Sequence, residues 1–169
     1  MSIILTFILV ISCSQNQDDA FFDESDLGAG GSKTSLIIYA NFDECGEWGG
    51  HKEDLVIFAK SDNKFYATFK KSKVDCNQVG TLYGTPEFHN SDYEKTFMLD
   101  ANHKKAIKDY TQNLIQSKFS ERHPGHAGKS FGIIKTDSTL IIDVYDNNSD
   151  NFKSYKELQK KLDLPITKL

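Results

Sequence analysis

Residues 54–71 read DLVIFAKSDNKFYATFKK, and this stretch decides the fold because it contains two strand patterns joined by a turn. Its arms, DLVIFAK and KFYATFKK, are rich in β-branched and aromatic residues, and the polar SDN lies between them. This arrangement is typical of an antiparallel hairpin. Alternate residues of the second arm form one apolar face, which predicts a strand buried on one side: Phe65, Ala67 and Phe69.

Strand patterns continue on both sides of this hairpin. Upstream, SLIIYANF (35–42) has the composition of a central strand. Downstream, EKTFML (94–99) fits a short strand, and SFGIIKTD and TLIIDVYD (130–146) form a second hairpin around KTDS. The strand patterns therefore predict an antiparallel sheet of about five strands, including two hairpins.

Two helices complete the predicted domain. Between Asp100, a plausible N-cap, and Ser120 the apolar period changes to that of a helix, with one predicted stripe: Ile107, Tyr110, Leu114, Ile115 and Phe119. The last helix is predicted to begin at SYKE, where Ser154 and Glu157 form a capping box. We expect an α+β fold with both helices packed on one face of the sheet, in a single domain over residues 35–169.

The N-terminus carries an apolar run, IILTFILVI, that is too short to cross a bilayer as a helix. Residues 1–12 fit a signal peptide, and VISC resembles the lipobox of bacterial lipoproteins. The resemblance implies that Cys13 becomes the first residue and carries lipid, such as palmitate. It also implies attachment to the cell envelope, as a periplasmic or surface-exposed outer-membrane lipoprotein. The run also fits an ordinary signal peptide or a buried first strand.

Residues 13–34 are acidic and then Gly-rich, a composition that predicts a flexible tether. The whole chain of 169 residues has a net charge of −4. This charge argues against nucleic acid as a partner. We expect a monomer attached to the membrane through its N-terminal lipid.

Cys45 and Cys76 follow strand patterns that run in the same direction, so both fall at one end of the predicted sheet. With Cys13 lipidated, two thiols remain in an oxidising compartment, which favours a disulfide between them. The alternatives are free or metal-bound cysteines.

Residues 43–54, DECGEWGGHKED, contain the single Trp of the chain. We expect this loop and the region around 80–90 to form a recognition surface for a protein or carbohydrate ligand. Its candidate binding residues are Glu47, Trp48, His51, Tyr83 and Phe88. Trp48 fits equally well as a lid over the sheet edge.

Chemistry at the same residues gives the competing hypotheses. His51 with His123 and His126 would form a metal-dependent catalytic site, although no standard zinc spacing is present. Cys45 with His51 would form a nucleophilic pair if the thiol were free. The sequence favours a non-enzymatic binding protein without a cofactor. Another alternative is an inhibitor or self-protection lipoprotein that blocks an incoming enzyme.

Overall fold

The computed structural model describes residues 34–62, 64–121, 128–146 and 149–168. The signal peptide, Cys13 and the tether up to residue 33 lie outside these ranges, as do His123 and His126. Within these ranges there are six strands: β1 (Leu36–Asn41), β2 (Lys52–Ala59), β3 (Phe65–Lys73), β4 (Asn90–Met98), β5 (Ser130–Lys135) and β6 (Ile141–Tyr145).

The strands form one antiparallel sheet in the order β4-β3-β2-β1-β5-β6. The chain runs as a meander from β1 to β4, and the β5–β6 hairpin then pairs with the free edge of β1. Three α-helices of the described residues accompany the sheet: α1 (Val79–Leu82), α2 (Ala101–Ser120) and α3 (Asp150–Lys161). The predicted α+β class is confirmed, with six strands in place of about five and with α1 as an additional short helix.

The core lies between one face of the sheet and the helices α2 and α3. Strand alternation sets that face, since Leu36, Ile38 and Ala40 are buried while the residues between them are partly exposed. The rings of Phe131 on β5 and Tyr155 on α3 lie 5.5 Å apart, which places α3 directly against the sheet. This packing buries a continuous apolar cluster that the strand and helix patterns share.

Helix α2 begins as predicted, because the Asp100 side chain accepts a hydrogen bond from the backbone N–H of His103. The predicted apolar stripe of α2 is wrong at the C-terminal end of the helix, where Phe119 is 88% exposed. Phe119 lies five residues beyond the buried Leu114, which turns it about 140° away around the helix. The buried face of α2 ends at Leu114, and it includes Thr111 beside Tyr110.

Helix α3 begins at Asp150, four residues before the predicted capping box. The chain enters it through Ser149, whose φ is 64°. The carboxylate of Asp146 then accepts hydrogen bonds from the backbone N–H groups of Asn151 and Phe152. An acidic side chain brought in from the end of β6 therefore satisfies the first turn, and Ser154 lies inside the helix.

Candidate binding surface

A disulfide joins the two loops at one end of the sheet. The β1–β2 loop contains Cys45 and the β3–β4 connection contains Cys76, and the structure bonds these two residues with their Cα atoms 5.2 Å apart. This is the pairing that the sequence favoured. Strands β1 and β3 both run antiparallel to β2, so the two loops leave the same end of the sheet. The bond takes the Cys45 thiol out of use as a nucleophile.

Two exposed aromatic rings meet where these loops join. Trp48 ends a short 3-10 turn, Gly46–Trp48, and is 52% exposed, whereas Tyr83 follows α1 and is 54% exposed. Their ring centroids are 5.1 Å apart and their planes are inclined by 77°. We call this pair, Trp48 and Tyr83, the aromatic corner. Its exposure places Trp48 on the surface and not as a lid on the core.

Phe88 supports the aromatic corner from below. It is buried, and its ring contacts that of Tyr83 at 5.9 Å with an inclination of 75°. Phe88 thus belongs to the predicted surface as a support and not as a contact residue. Tyr83 in turn supports Trp48, so the three predicted aromatic residues form one continuous row across the two loops.

The loop that presents Trp48 has a closely bonded backbone. The N–H of Cys45 donates to the carbonyl of Gly49 at 2.8 Å, and the N–H of Gly49 donates to Gly46 at 3.0 Å. Gly46 and Gly49 have φ values of 65° and 80°, which side-chain-bearing residues rarely adopt. These glycines permit the tight turn at residues 46–49, in which the indole ring of Trp48 is exposed to solvent.

His51 lies below this loop and not on its surface, since it is only 6% exposed. Its backbone N–H donates to Glu44 at 3.0 Å, and its Nδ1 atom bonds the second oxygen of the same carboxylate. The imidazole stacks on Phe42, with centroids 4.2 Å apart and planes inclined by 6°. His51 therefore anchors the base of the loop.

The other ring nitrogen of His51 faces Glu53, which is fully buried and faces inward from β2. Five side chains place nitrogen or hydroxyl groups within hydrogen-bond distance of its carboxylate: His51 at 3.1 Å, Lys71 at 2.8 Å, Tyr155 at 3.0 Å, Gln159 at 2.7 Å and Thr167 at 2.6 Å. We call this group the Glu53 cluster.

Burial raises the pKa of the Glu53 carboxyl, but the hydrogen bonds from His51, Lys71 and Thr167 together outweigh it. The net result is a pKa below the ordinary value, so the carboxylate is ionised at neutral pH. The proximity of Glu53 raises the pKa of Tyr155 further beyond the increase that burial alone produces. Because it is fully buried, this carboxylate cannot contact a substrate, and it holds together the side chains that surround it.

The Glu53 cluster was not predicted from the sequence, although one signal was available. Glu53, Leu55 and Ile57 alternate along β2, so the strand period places a charged residue on the apolar, inward face. A charge at such a position requires buried partners. Which residues supply them depends on long-range packing, since Thr167 lies 114 residues away.

Negative charge dominates the two joined loops. Residues 43–50 and 74–90 contain no Lys or Arg and five acidic residues: Asp43, Glu44, Glu47, Asp75 and Glu87. His89 adds no positive charge at neutral pH, because burial first and Lys52 second lower its pKa. The two loops that carry the aromatic corner therefore have a net negative charge of their own.

The metal hypothesis finds no support at His51, whose two ring nitrogens already face Glu44 and Glu53. Its other two proposed ligands, His123 and His126, lie outside the described residues. Within the ranges that the structure describes, no group of three or more His, Cys, Asp or Glu side chains is arranged to hold a metal ion.

The fold and the surface define a small α+β domain with an exposed aromatic pair on disulfide-joined loops. The chain matches no protein-family model, and no curated protein matches its sequence. Among the helices of the described residues, none has the length and apolar character needed to cross a membrane.

Proposed function

We propose that this protein is a lipid-anchored module of the cell envelope that binds a partner through the aromatic corner. The anchor rests on the apolar run and VISC at residues 10–13, which resemble a lipoprotein signal. The binding role rests on the geometry of the two loops. An acidic binding domain of this kind also suits an inhibitor that blocks an incoming enzyme, which is one form of the same function.

The observation that carries the proposal is the exposure of Trp48 and Tyr83 on covalently joined loops. Large aromatic side chains supply much of the binding energy at interfaces, and loops held by a rigid scaffold commonly carry such residues. The disulfide and the bonded backbone hold the rings in place before any partner arrives. Binding then orders few additional groups, which lowers its entropic cost.

Binding is favoured over catalysis by the state of the reactive side chains near these loops. Cys45 is in a disulfide, and His51 is buried between two carboxylates. Glu53 is enclosed by its five partners. The groups that remain at the surface are aromatic rings and carboxylates, which suit recognition.

Photocrosslinking tests the binding role whether the ligand is a protein or a carbohydrate. A benzophenone amino acid replaces Tyr83 in one variant and Phe119 on α2, which is even more exposed than Tyr83, in a control. In the source cells we expect an adduct of higher mass from position 83, absent from position 119 and lost when Trp48→Ala is added. The same adducts from both positions, or none from position 83, would refute a binding role for these loops.

The anchor is tested by Cys13→Ala with Ser14→Ala as the matched control. If Cys13 carries the lipid, the Cys13 variant should leave the membrane fraction, while the Ser14 variant stays with it. Mass analysis of the wild-type protein should show acyl groups on an N-terminal cysteine. Retention of Cys13→Ala in the membrane, together with an unmodified wild-type mass, would contradict the proposal.

A further inference from the structure

The aromatic corner has the geometry of a partial cage. The two ring planes are inclined by 77°, with the edge of one ring against the face of the other, and each residue is more than half exposed to solvent. The faces of Trp and Tyr attract cations through the ring quadrupole, and Trp is the strongest of the aromatic side chains in this respect. The exposed ring surface of the corner is therefore of the type that attracts a guanidinium or ammonium group.

Elsewhere in the protein such ring faces are already occupied by its own lysines. Lys60 lies 4.0 Å from the ring centroid of Tyr66, Lys104 lies 4.6 Å from that of Phe65, and Lys156 lies 4.7 Å from that of Phe152. In the part of the chain that the structure describes, no lysine lies over Trp48 or Tyr83. The corner thus differs from these rings in having no lysine of the described residues over it.

The surrounding carboxylates indicate the charge of the partner. Three of the five acidic residues have local partners: Asp43 pairs with Lys129 at 3.4 Å, Glu44 bonds His51, and Asp75 accepts from the N–H of Asn77 at 3.0 Å. Glu47 and Glu87 are exposed, and no described side chain forms an ion pair with either. Glu47 directly precedes Trp48 in one loop, and Glu87 directly precedes Phe88, the support of Tyr83, in the other.

We propose that the aromatic corner binds an Arg or Lys side chain in a basic segment of a partner protein, with Glu47 and Glu87 flanking the segment. This inference rests on the binding function proposed above and specifies the class of its ligand. Two open walls do not enclose a small free cation, whereas carboxylates on both loops can contact several positive groups of one chain. The partner is therefore a cationic protein and not a neutral carbohydrate.

Trp48 is the only Trp in the chain, so its fluorescence reports on this surface alone. The probe is a ten-residue peptide of alternating Arg and Gly, titrated into the full-length protein at low ionic strength. We expect a saturable change in Trp48 emission, and a dissociation constant about tenfold higher in physiological salt because exposed charges are screened. A peptide of alternating Glu and Gly should produce no change.

Matched variants locate the effect. The double variant Glu47→Gln/Glu87→Gln should weaken peptide binding about tenfold, and each single change should account for part of this loss. Glu157→Gln, the same charge change as either single variant but on the exposed side of α3, should alter binding less than twofold. Tyr83→Ala should weaken binding while keeping the Trp48 signal, and Phe119→Ala should leave binding unchanged. Circular dichroism and melting curves confirm that each variant is folded.

Three outcomes would overturn the proposal: no saturable response to the basic peptide, equal weakening by Glu157→Gln, or equally tight binding of choline chloride, a small cation without a peptide chain. The photocrosslinking experiment distinguishes these from failure of the binding function. A Trp48-dependent adduct from position 83 that persists in Glu47→Gln/Glu87→Gln would preserve the binding function and refute the cationic partner.

Discussion

Gly50 shows how a single residue positions the loop that carries the aromatic corner. A Cβ atom added at Gly50 would lie 1.8 Å from Oε2 of Glu44 and 2.7 Å from its backbone nitrogen. The absence of a side chain therefore lets the Glu44 carboxylate reach both the backbone and the ring of His51. The conformation of Gly50 needs no positive φ, so close approach alone accounts for glycine here.

We predict that Gly50→Ala displaces Glu44 and lowers the free energy of unfolding by about 1–3 kcal/mol, as overpacking in a closed site does. Gly80→Ala is the matched control, because its added Cβ meets no atom within 4 Å and its φ is not positive. Chemical denaturation of both variants measures the difference. Equal stability of the two would show that Glu44 moves aside without cost.

At the scale of elements, the Glu53 cluster joins four parts of the fold. Glu53 lies on β2, Lys71 on β3, and Tyr155 and Gln159 on α3, while Thr167 belongs to the segment after α3. Gln159 also bonds the backbone and the hydroxyl of Thr167. The cluster thereby fixes the C-terminal segment against the sheet, at the base of the loop that His51 anchors.

Replacement of Glu53 should be costly because it leaves buried donors without a charged acceptor. We predict that Glu53→Gln lowers the free energy of unfolding by about 3 kcal/mol at neutral pH. The folded-state pKa of Glu53 lies below its ordinary value of 4.5. Its stabilising contribution is therefore fully present above pH 4.5 and is lost as the pH falls through the folded-state value.

The difference in stability between the wild type and Glu53→Gln should consequently narrow as the pH is lowered below 4.5. Denaturation curves at several pH values between about 3 and 7 measure this difference. The exposed control, Glu157→Gln, should remain near the wild type throughout. A constant difference across the whole range would show that the Glu53 charge does not contribute to stability.

At the scale of the whole molecule, the core helices and the disulfide-joined loops occupy different parts of the sheet. Helices α2 and α3 cover one face, while the loops after β1 and β3, the second of which contains α1, leave the end of the sheet where the disulfide holds them together. The disulfide spans 31 residues of sequence, and it encloses the entire β2–β3 hairpin. It is therefore the covalent element that most directly connects the fold to the proposed binding surface.

Loss of this bond should lower the stability of the fold. We predict that Cys45→Ser/Cys76→Ser lowers the free energy of unfolding by about 3–4 kcal/mol on the chain-entropy account of disulfides. Alkylation with and without reductant should reveal two additional reactive thiols only after reduction. Two reactive thiols in the untreated protein would contradict the bond and restore the catalytic and metal hypotheses for Cys45.

The sequence was sufficient for the fold class because strand alternation and helix periodicity are local consequences of burial. The hairpin at 54–71, the central strand at 35–42 and the cap at Asp100 all appear within about two residues of their predicted places. Local pattern failed at the start of α3, because the first turn is capped by Asp146, which directly follows β6. It also failed at Phe119, which is apolar like the predicted stripe but lies on another side of the helix.

For the candidate site, the sequence indicated the loops, the cysteine pair and the three aromatic residues. Only the tertiary structure decided that Trp48 and Tyr83 are outside while Phe88 and His51 are inside. Exposure depends on which distant groups fill the space beneath a loop. For His51, those groups are Phe42 and Glu53. The other members of the Glu53 cluster come from β3, α3 and the segment after α3, and the packing of α3 on the sheet brings them together across as many as 114 residues of sequence.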